Sequence, residues 1–175
     1  MSLLKILHFN DPSLSQKCVP VEKVDSSIKK LIEDMYETMF AAPGIGLSAN
    51  QVGKDHCLFV YDQGYAAQKT ENEEIVSNPK VLINPKLVSK AGLQKCTEGC
   101  LSVPEFEEEI ERYETIKVEA YNEEMEKFVI EASGFHAVVI QHEMDHLQGL
   151  TILDQISRLK KQLYVRRYNK EIGSK

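Results

Sequence analysis

The run Gln141-His142-Glu143-Met144-Asp145-His146 constrains this chain more than any other stretch. It reads H-E-x-x-H, and Phe135, Ala137, Val138, Val139 and Ile140 before it are apolar enough for a buried helix. At about 100° per residue, positions four apart stand roughly 40° apart around a helix axis. His142 and His146 then stack one turn apart on one face, where two imidazoles can grip a single metal ion. Glu143 stands beside that face, within reach of the protons of a bound water without being a ligand itself. A buried helix with two hydrogen-bonded histidines would show the same five residues. The rest of the chain must therefore supply a third ligand, groups that stabilise a transition state, and a substrate.

A catalytic site of this kind takes three protein ligands and keeps one position open. One class of protease continues H-E-x-x-H-x-x-G-x-x-H. Here Gly149 falls on the glycine, but Ile152 occupies the last position and cannot bind a metal. Another class uses a glutamate some twenty or more residues on, and beyond the motif only Glu171 is available. His136 precedes His142 by six residues, about 240° around the helix, and faces elsewhere. Upstream, Cys100 is the better choice. It lies in the Gly-flanked segment Glu98-Gly99-Cys100-Leu101-Ser102-Val103-Pro104, and a thiolate with two imidazoles suits a borderline metal. Cys96 is four residues earlier in an extended stretch and need not face the same ion.

A chain of 175 residues is long enough to bury its own core, and we expect one domain over residues 1–175. Its formal net charge of −6 argues against a general nucleic-acid binder. No run of about 18 apolar residues is present, so no helix is expected to span a membrane. The N-terminal stretch has neither a signal-peptide cleavage site nor transit-peptide character, and a cytoplasmic protein is expected. Four cysteines (Cys18, Cys57, Cys96, Cys100) are too few for a secreted disulfide scaffold and should be thiols or metal ligands.

Along the chain, Leu4, Ile6 and His8 suggest a short strand or extended segment. Asp25 or Ser26 can cap a helix in which Ile28, Leu31, Ile32, Met35 and Met39 recur at helical spacing, ending before Pro43-Gly44. The following run, Gly44 to Gly53, superficially fits the dinucleotide fingerprint. That fingerprint needs a strand before it and a helix after it, and here the order is reversed. Its glycines are expected to let backbone pass close to a ligand. Residues 63–79 read as a polar surface loop. Val81 to Val88 reads as two short strands or one bent strand, and Ile116–Tyr121 with Lys127–Glu131 as a hairpin. Gly149 stands where the metal helix would stop. Residues 156–170 suit a basic C-terminal helix with Ile156, Leu159, Leu163 and Tyr164 on one face.

Three stretches, taken in order, resemble the peptide deformylase family, which is marked by G-x-G-x-[AS]-A-x-Q, E-G-C-L-S and Q-H-E-x-D-H. This chain has Gly44 to Gln51, Glu98 to Ser102 and Gln141 to His146, without a substitution at a defining position. The resemblance implies an α+β fold in which antiparallel strands pack around a central H-E-x-x-H helix, with a C-terminal helix. It implies removal of the formyl group from N-formylmethionyl nascent polypeptides, with release of formate. By position, Cys100, His142 and His146 would be the metal ligands and Glu143 the general base and acid. Gln51 and the backbone N–H of Leu101 would stabilise the oxyanion. Ile45, Gly46 and Gly99 match positions whose backbone pairs with the substrate peptide, and Val138 matches a wall of the methionine pocket. Family members naturally use Fe²⁺ and accept Zn²⁺, Ni²⁺ or Co²⁺. The basic tail resembles that of bacterial members, where it can dock on the ribosome, and a monomer or weak dimer is expected.

The chain departs from the family where many members carry an arginine two or three residues after Pro104. Here Glu105-Phe106-Glu107-Glu108-Glu109 is acidic, and the run is expected to disfavour acidic substrates. Arg112 is expected to pair with Glu98 and brace the Cys100 segment, and Asp145 to brace a histidine ligand. Two competing readings remain open. A metallopeptidase would take its third ligand from somewhere other than Cys100. A closed structural zinc site would need a fourth ligand, such as Cys96, and an inert Glu143.

Overall fold

The computed structural model describes residues 2–68 and 76–172. Asp25 caps the first helix, α1 (Ser26–Ala41), by accepting the N–H groups of Ser27 and Ile28. Ile28, Leu31, Ile32, Met35 and Met39 are all buried on one face, as their spacing predicts. After Pro43-Gly44 come β1 (Gly46–Ser48), a 3₁₀ turn over Ala49–Val52, and β2 (Leu58–Asp62). A single helical turn, α2 (Gln63–Ala66), leads towards β3 (Pro79–Ala91). The stretch 63–79, expected as a loop throughout, thus begins in a helical turn and ends inside a strand. Its Glu-rich centre, with the rest of residues 69–75, lies outside the described residues. β3 is one strand bent at Asn84, which has a φ of 50° where the register shifts.

β4 (Gln94–Cys100) and β5 (Val103–Arg112) form their own antiparallel pair. β6 (Thr115–Tyr121) and β7 (Lys127–Ser133) make the expected hairpin and complete an antiparallel sheet in the order β1-β2-β3-β6-β7. The H-E-x-x-H segment forms α3 (Gly134–Leu147), followed by Gly149 at a φ of 79°. Glycine adopts that left-handed backbone without penalty and stops the helix.

Every residue of β2 is buried because both faces of the five-stranded sheet are covered. Leu58 and Val60 pack with Ile83 and the apolar stripe of α1. Phe59 and Tyr61 point the other way, into a second cluster with Leu82, Val118, Ala137 and Ile140. Strand alternation thus fixes α1 on one face and α3 on the other. Each fully buried Leu, Val, Ile or Phe in these layers contributes on the order of 1.5–3 kcal/mol.

The tail departs from its expected form. The helix α4 runs from Arg158 to Arg167, capped by Ser157, so Ile156 lies outside it. Leu159 and Leu163, expected on the buried face, are 66% and 56% exposed. Tyr164, expected on that face, is buried, and Tyr168 joins it in place of the leucines, against Phe9 and Phe106. Aromatic partners from distant parts of the chain outweigh the local apolar pattern. The segment before Phe9 joins no sheet. Leu7 N–H donates to the Gln51 carbonyl at 2.7 Å, and Phe9 N–H to that of Ser102 at 2.8 Å. No helix among the described residues is long and apolar enough to cross a membrane. The architecture is the expected α+β, with antiparallel sheets and a C-terminal helix.

Candidate metal and active site

The β4–β5 hairpin turns at Leu101-Ser102 and places Cys100 at the end of β4, facing α3. Cys100 Sγ lies 3.2 Å from His146 Nε2, and the imidazoles of His142 and His146 stand with centroids 5.0 Å apart. One donor atom from each of Cys100, His142 and His146 falls within 4.8 Å of the other two. No fourth histidine, cysteine or carboxylate joins this group among the described residues. Cys96 does not join it, with its thiol directed at the carbonyl of Thr97, nor does His136, which stacks on Tyr61. A soft sulfur and two imidazoles with one side open fit a divalent transition metal in a catalytic rather than a closed structural site.

Glu98 Oε2 takes His142 Nδ1 at 2.8 Å. Arg112 holds the same carboxylate through Nε and a terminal nitrogen, at 2.7 and 3.0 Å. The expected Arg112–Glu98 pair therefore exists. Asp145 does not brace a histidine; it pairs with Arg112 and accepts from Gln155. Burial works against an ionised Glu98, but the bonds from His142 and Arg112 outweigh it and hold its pKa below the ordinary value. Burial likewise disfavours a charged His142, yet the Cys100 sulfur and Glu98 raise its pKa above normal. Burial, then repulsion from His142, push His146 the other way.

Glu143 is buried beside this cluster, and that burial raises its carboxyl above the ordinary range. The Ser48 hydroxyl donates to its Oε2 at 2.6 Å. Gly46 is required here for space, because a Cβ added to it would lie 2.8 Å from Glu143 Cδ. Gln51 is also buried, and its amide orientation is set by its neighbours. Its Oε1 accepts the Ser48 N–H at 2.8 Å, so its NH₂ faces Ser102 Oγ at 3.0 Å and Cys100 Sγ at 3.7 Å. Asn50 donates to the His146 carbonyl, anchoring the last turn of α3. Sequence reasoning assigned no role to Ser48, Asn50 or Ser102. The only sequence signal was that Ser48 and Ser102 are positions of the two upstream motifs.

A cleft of about 820 Å³ opens over the cluster. Gly44, Ile45, Gly46 and Gln51 line it together with Glu98 to Leu101 and, from α3, Val138, His142 and Glu143. All ten residues singled out from the sequence are brought together here: nine line the cleft, and His146 lies beneath it. An open sulfur–imidazole cluster at the base of a cleft, with a buried carboxylate and a fixed amide donor beside it, defines a metal-dependent hydrolase acting on a carbonyl.

The family model for polypeptide deformylase matches residues 3–162. A peptide deformylase of Neisseria meningitidis serogroup C is 46% identical over 160 residues, covering 91% of this chain and 90% of its own. That of Syntrophobacter fumaroxidans is 40% identical over 172 residues, covering 98% and 97%. The crystal structure of the Ehrlichia chaffeensis peptide deformylase superposes with a TM-score of 0.88 at 37% identity, covering 99% and 98%. The chain belongs to the polypeptide deformylase family, metal-dependent enzymes that remove N-formyl groups from nascent peptides. The metallopeptidase reading falls with that finding.

Proposed function

We propose that residues 1–175 act as a single catalytic domain in which Cys100, His142 and His146 hold one divalent metal, Fe²⁺ in the native protein. The observation that carries this is the convergence of those three donor atoms beside the Gln51 amide and the Glu143 carboxylate. A metal held there would supply Lewis acidity, lowering the pKa of a bound water towards neutrality and polarising the formyl carbonyl. Glu143 accepts the proton that water loses. Its Oε2 is held by Ser48, which leaves Oε1 for that transfer. Glu143 then returns the proton to the leaving amine nitrogen. Gln51 Nε2 and the Leu101 N–H donate to the oxyanion as it develops. Each such donor, fixed beforehand and shielded from water, is worth about 3 kcal/mol.

Ile45, Gly46 and Gly99 offer backbone to the peptide, and Val138 forms a wall for the methionine side chain; all four line the cleft. Formyl is the smallest acyl group, so a crowded base admits it and rejects a substituted carbonyl. We place the enzyme in the cytoplasm as a monomer or weak dimer, meeting N-formylmethionyl peptides at the ribosome through the basic face of α4. Lys160 and Lys161 are committed to Glu108 and Asp154, and Arg167 to the Glu105 carbonyl. Arg158 and Arg166 supply the remaining charge for phosphate contacts.

The test adds formyl-Met-Ala-Ser to protein loaded with Fe²⁺, Ni²⁺ or Zn²⁺ and measures formate together with new free amine. Equal yields of both support the reading. Absence of turnover with all three metals overturns it.

A further inference from the structure

The acidic run after Pro104 divides into two kinds of carboxylate. Glu108 pairs with Lys160 at 2.7 Å and Glu109 with Lys95 at 3.0 Å, so these two hold β5 to its neighbours. The side chains of Glu105 and Glu107 have no ion pair or hydrogen bond among the described residues, and both residues are exposed and line the cleft. Glu107 is the register partner of Gly99, one residue before Cys100. A Cβ placed on Gly99 would meet Glu107 Cγ at 3.6 Å and its Oε1 at 4.0 Å. The carboxylate therefore stands beside the backbone of the cleft wall, at the strand position just before the Cys100 ligand.

A peptide that pairs with the Gly99 backbone, as proposed above, runs along this wall once its formyl group reaches that cluster. An extended chain advances about 3.3 Å per residue with side chains on alternate sides. The first residues after methionine thus pass within a short distance of Glu107. We propose that Glu107, with Glu105 behind it, is a specificity-determining residue that selects nascent chains bearing lysine or arginine at the second or third position. The proposal deepens the deformylase reading and rests on it. A cation there gains a partner that the protein itself does not provide, while an acidic side chain meets two carboxylates that have no ion pair among the described residues. Each effect is worth up to a few-fold for solvent-exposed groups, and the two act in the same direction when lysine is compared with glutamate.

The test compares kcat/KM for formyl-Met-Lys-Ser with formyl-Met-Glu-Ser, and for formyl-Met-Ala-Lys with formyl-Met-Ala-Glu, using metal-loaded enzyme. Salt at about 0.01 M and about 1 M sets screening lengths of about 30 and 3 Å. We expect the lysine peptide to be favoured at least about fivefold at low salt in one or both pairs, through KM rather than kcat. The preference should shrink towards unity at high salt, weaken in Glu107→Gln and reverse in Glu107→Arg. The products Met-Ala-Lys and Met-Ala-Glu, as competitive inhibitors of the unmutated enzyme, should show the same order without relying on a variant. A low-salt preference below about twofold in both pairs, or one that Glu107→Gln leaves unchanged, overturns the proposal. Turnover without charge preference defeats this proposal alone, whereas no formate from any peptide defeats the deformylase reading and this proposal with it.

Discussion

Gln51 Oε1 accepts the backbone N–H of Ser48 at 2.8 Å, and this bond decides which way the Gln51 amide faces. With its acceptor end occupied, only the NH₂ end is directed at the cluster formed by Cys100. Gln51→Glu keeps an acceptor for Ser48 but puts a carboxylate oxygen, with no proton to donate, where Nε2 now lies. We expect kcat to fall about 10²- to 10³-fold, the usual loss of one oxyanion donor. Metal content by elemental analysis should be unchanged. Near-normal formate release from this variant would remove Gln51 from the mechanism.

Gly46 and Glu143 are in contact across 97 residues of sequence, and the contact leaves no space for a side chain. In Gly46→Ala the added methyl must displace the Glu143 carboxylate or the β1 backbone. Misplacing a proton-transfer group by about 1 Å costs on the order of 10²-fold. We expect a loss of that size in kcat while the three metal ligands stay filled. Glu143→Ala should likewise retain the metal and lose nearly all activity. Full activity in either variant, measured by formate release, would contradict the role given to Glu143.

Arg112 joins Glu98, and through it His142, to Asp145 on the next turn of α3. Arg112 is buried, so removing it leaves the buried Glu98 carboxylate with only the His142 imidazole as partner among the described residues. Breaking a buried pair in this way costs about 3–5 kcal/mol. Arg112→Ala should lower stability in urea by that amount and weaken metal retention, because Glu98 no longer orients His142 firmly. A fully stable variant with normal metal affinity would show the network to be dispensable.

How much of this was legible beforehand depended on the range of each interaction. The H-E-x-x-H helix and its stop at Gly149 follow from local periodicity, and α1 from one cap and five spaced apolar residues. Cys100 was reachable because ligand chemistry excluded the downstream positions. The bonds of Ser48 to Glu143 and Asn50 to His146 join residues about a hundred positions apart and leave no local pattern. The place of Asp145 in the motif points to a histidine partner. In the fold, Glu98 reaches His142 first, and Asp145 turns to Arg112. Leu159 and Leu163 misled for a related reason: helical spacing records which residues share a face, but not whether the chain brings anything to cover it.

Asp62 holds both ends of the polar stretch that precedes β3. Its Oδ1 accepts the N–H groups of Gly64 at 2.8 Å and Tyr65 at 3.3 Å on one side and that of Asn78 at 2.9 Å on the other. Its Oδ2 takes the Ser77 hydroxyl. Burial pushes the carboxyl pKa up, but these four donors together outweigh it and leave it below the ordinary value. A group whose pKa is depressed on folding contributes its full stability above the unfolded value, about 3.9 for Asp. That contribution is lost as pH falls through the folded value. Hydrogen bonds to a charged group are worth about 1.5–3 kcal/mol, so Asp62→Asn should destabilise the protein by roughly that amount at neutral pH. The difference between wild type and Asp62→Asn should stay flat from about pH 8 to about pH 6 and narrow below about pH 4. Urea unfolding of both proteins across that range checks the sign. A difference that widened on acidification would mean that Asp62 is not held as the anion, and that another group anchors the two ends.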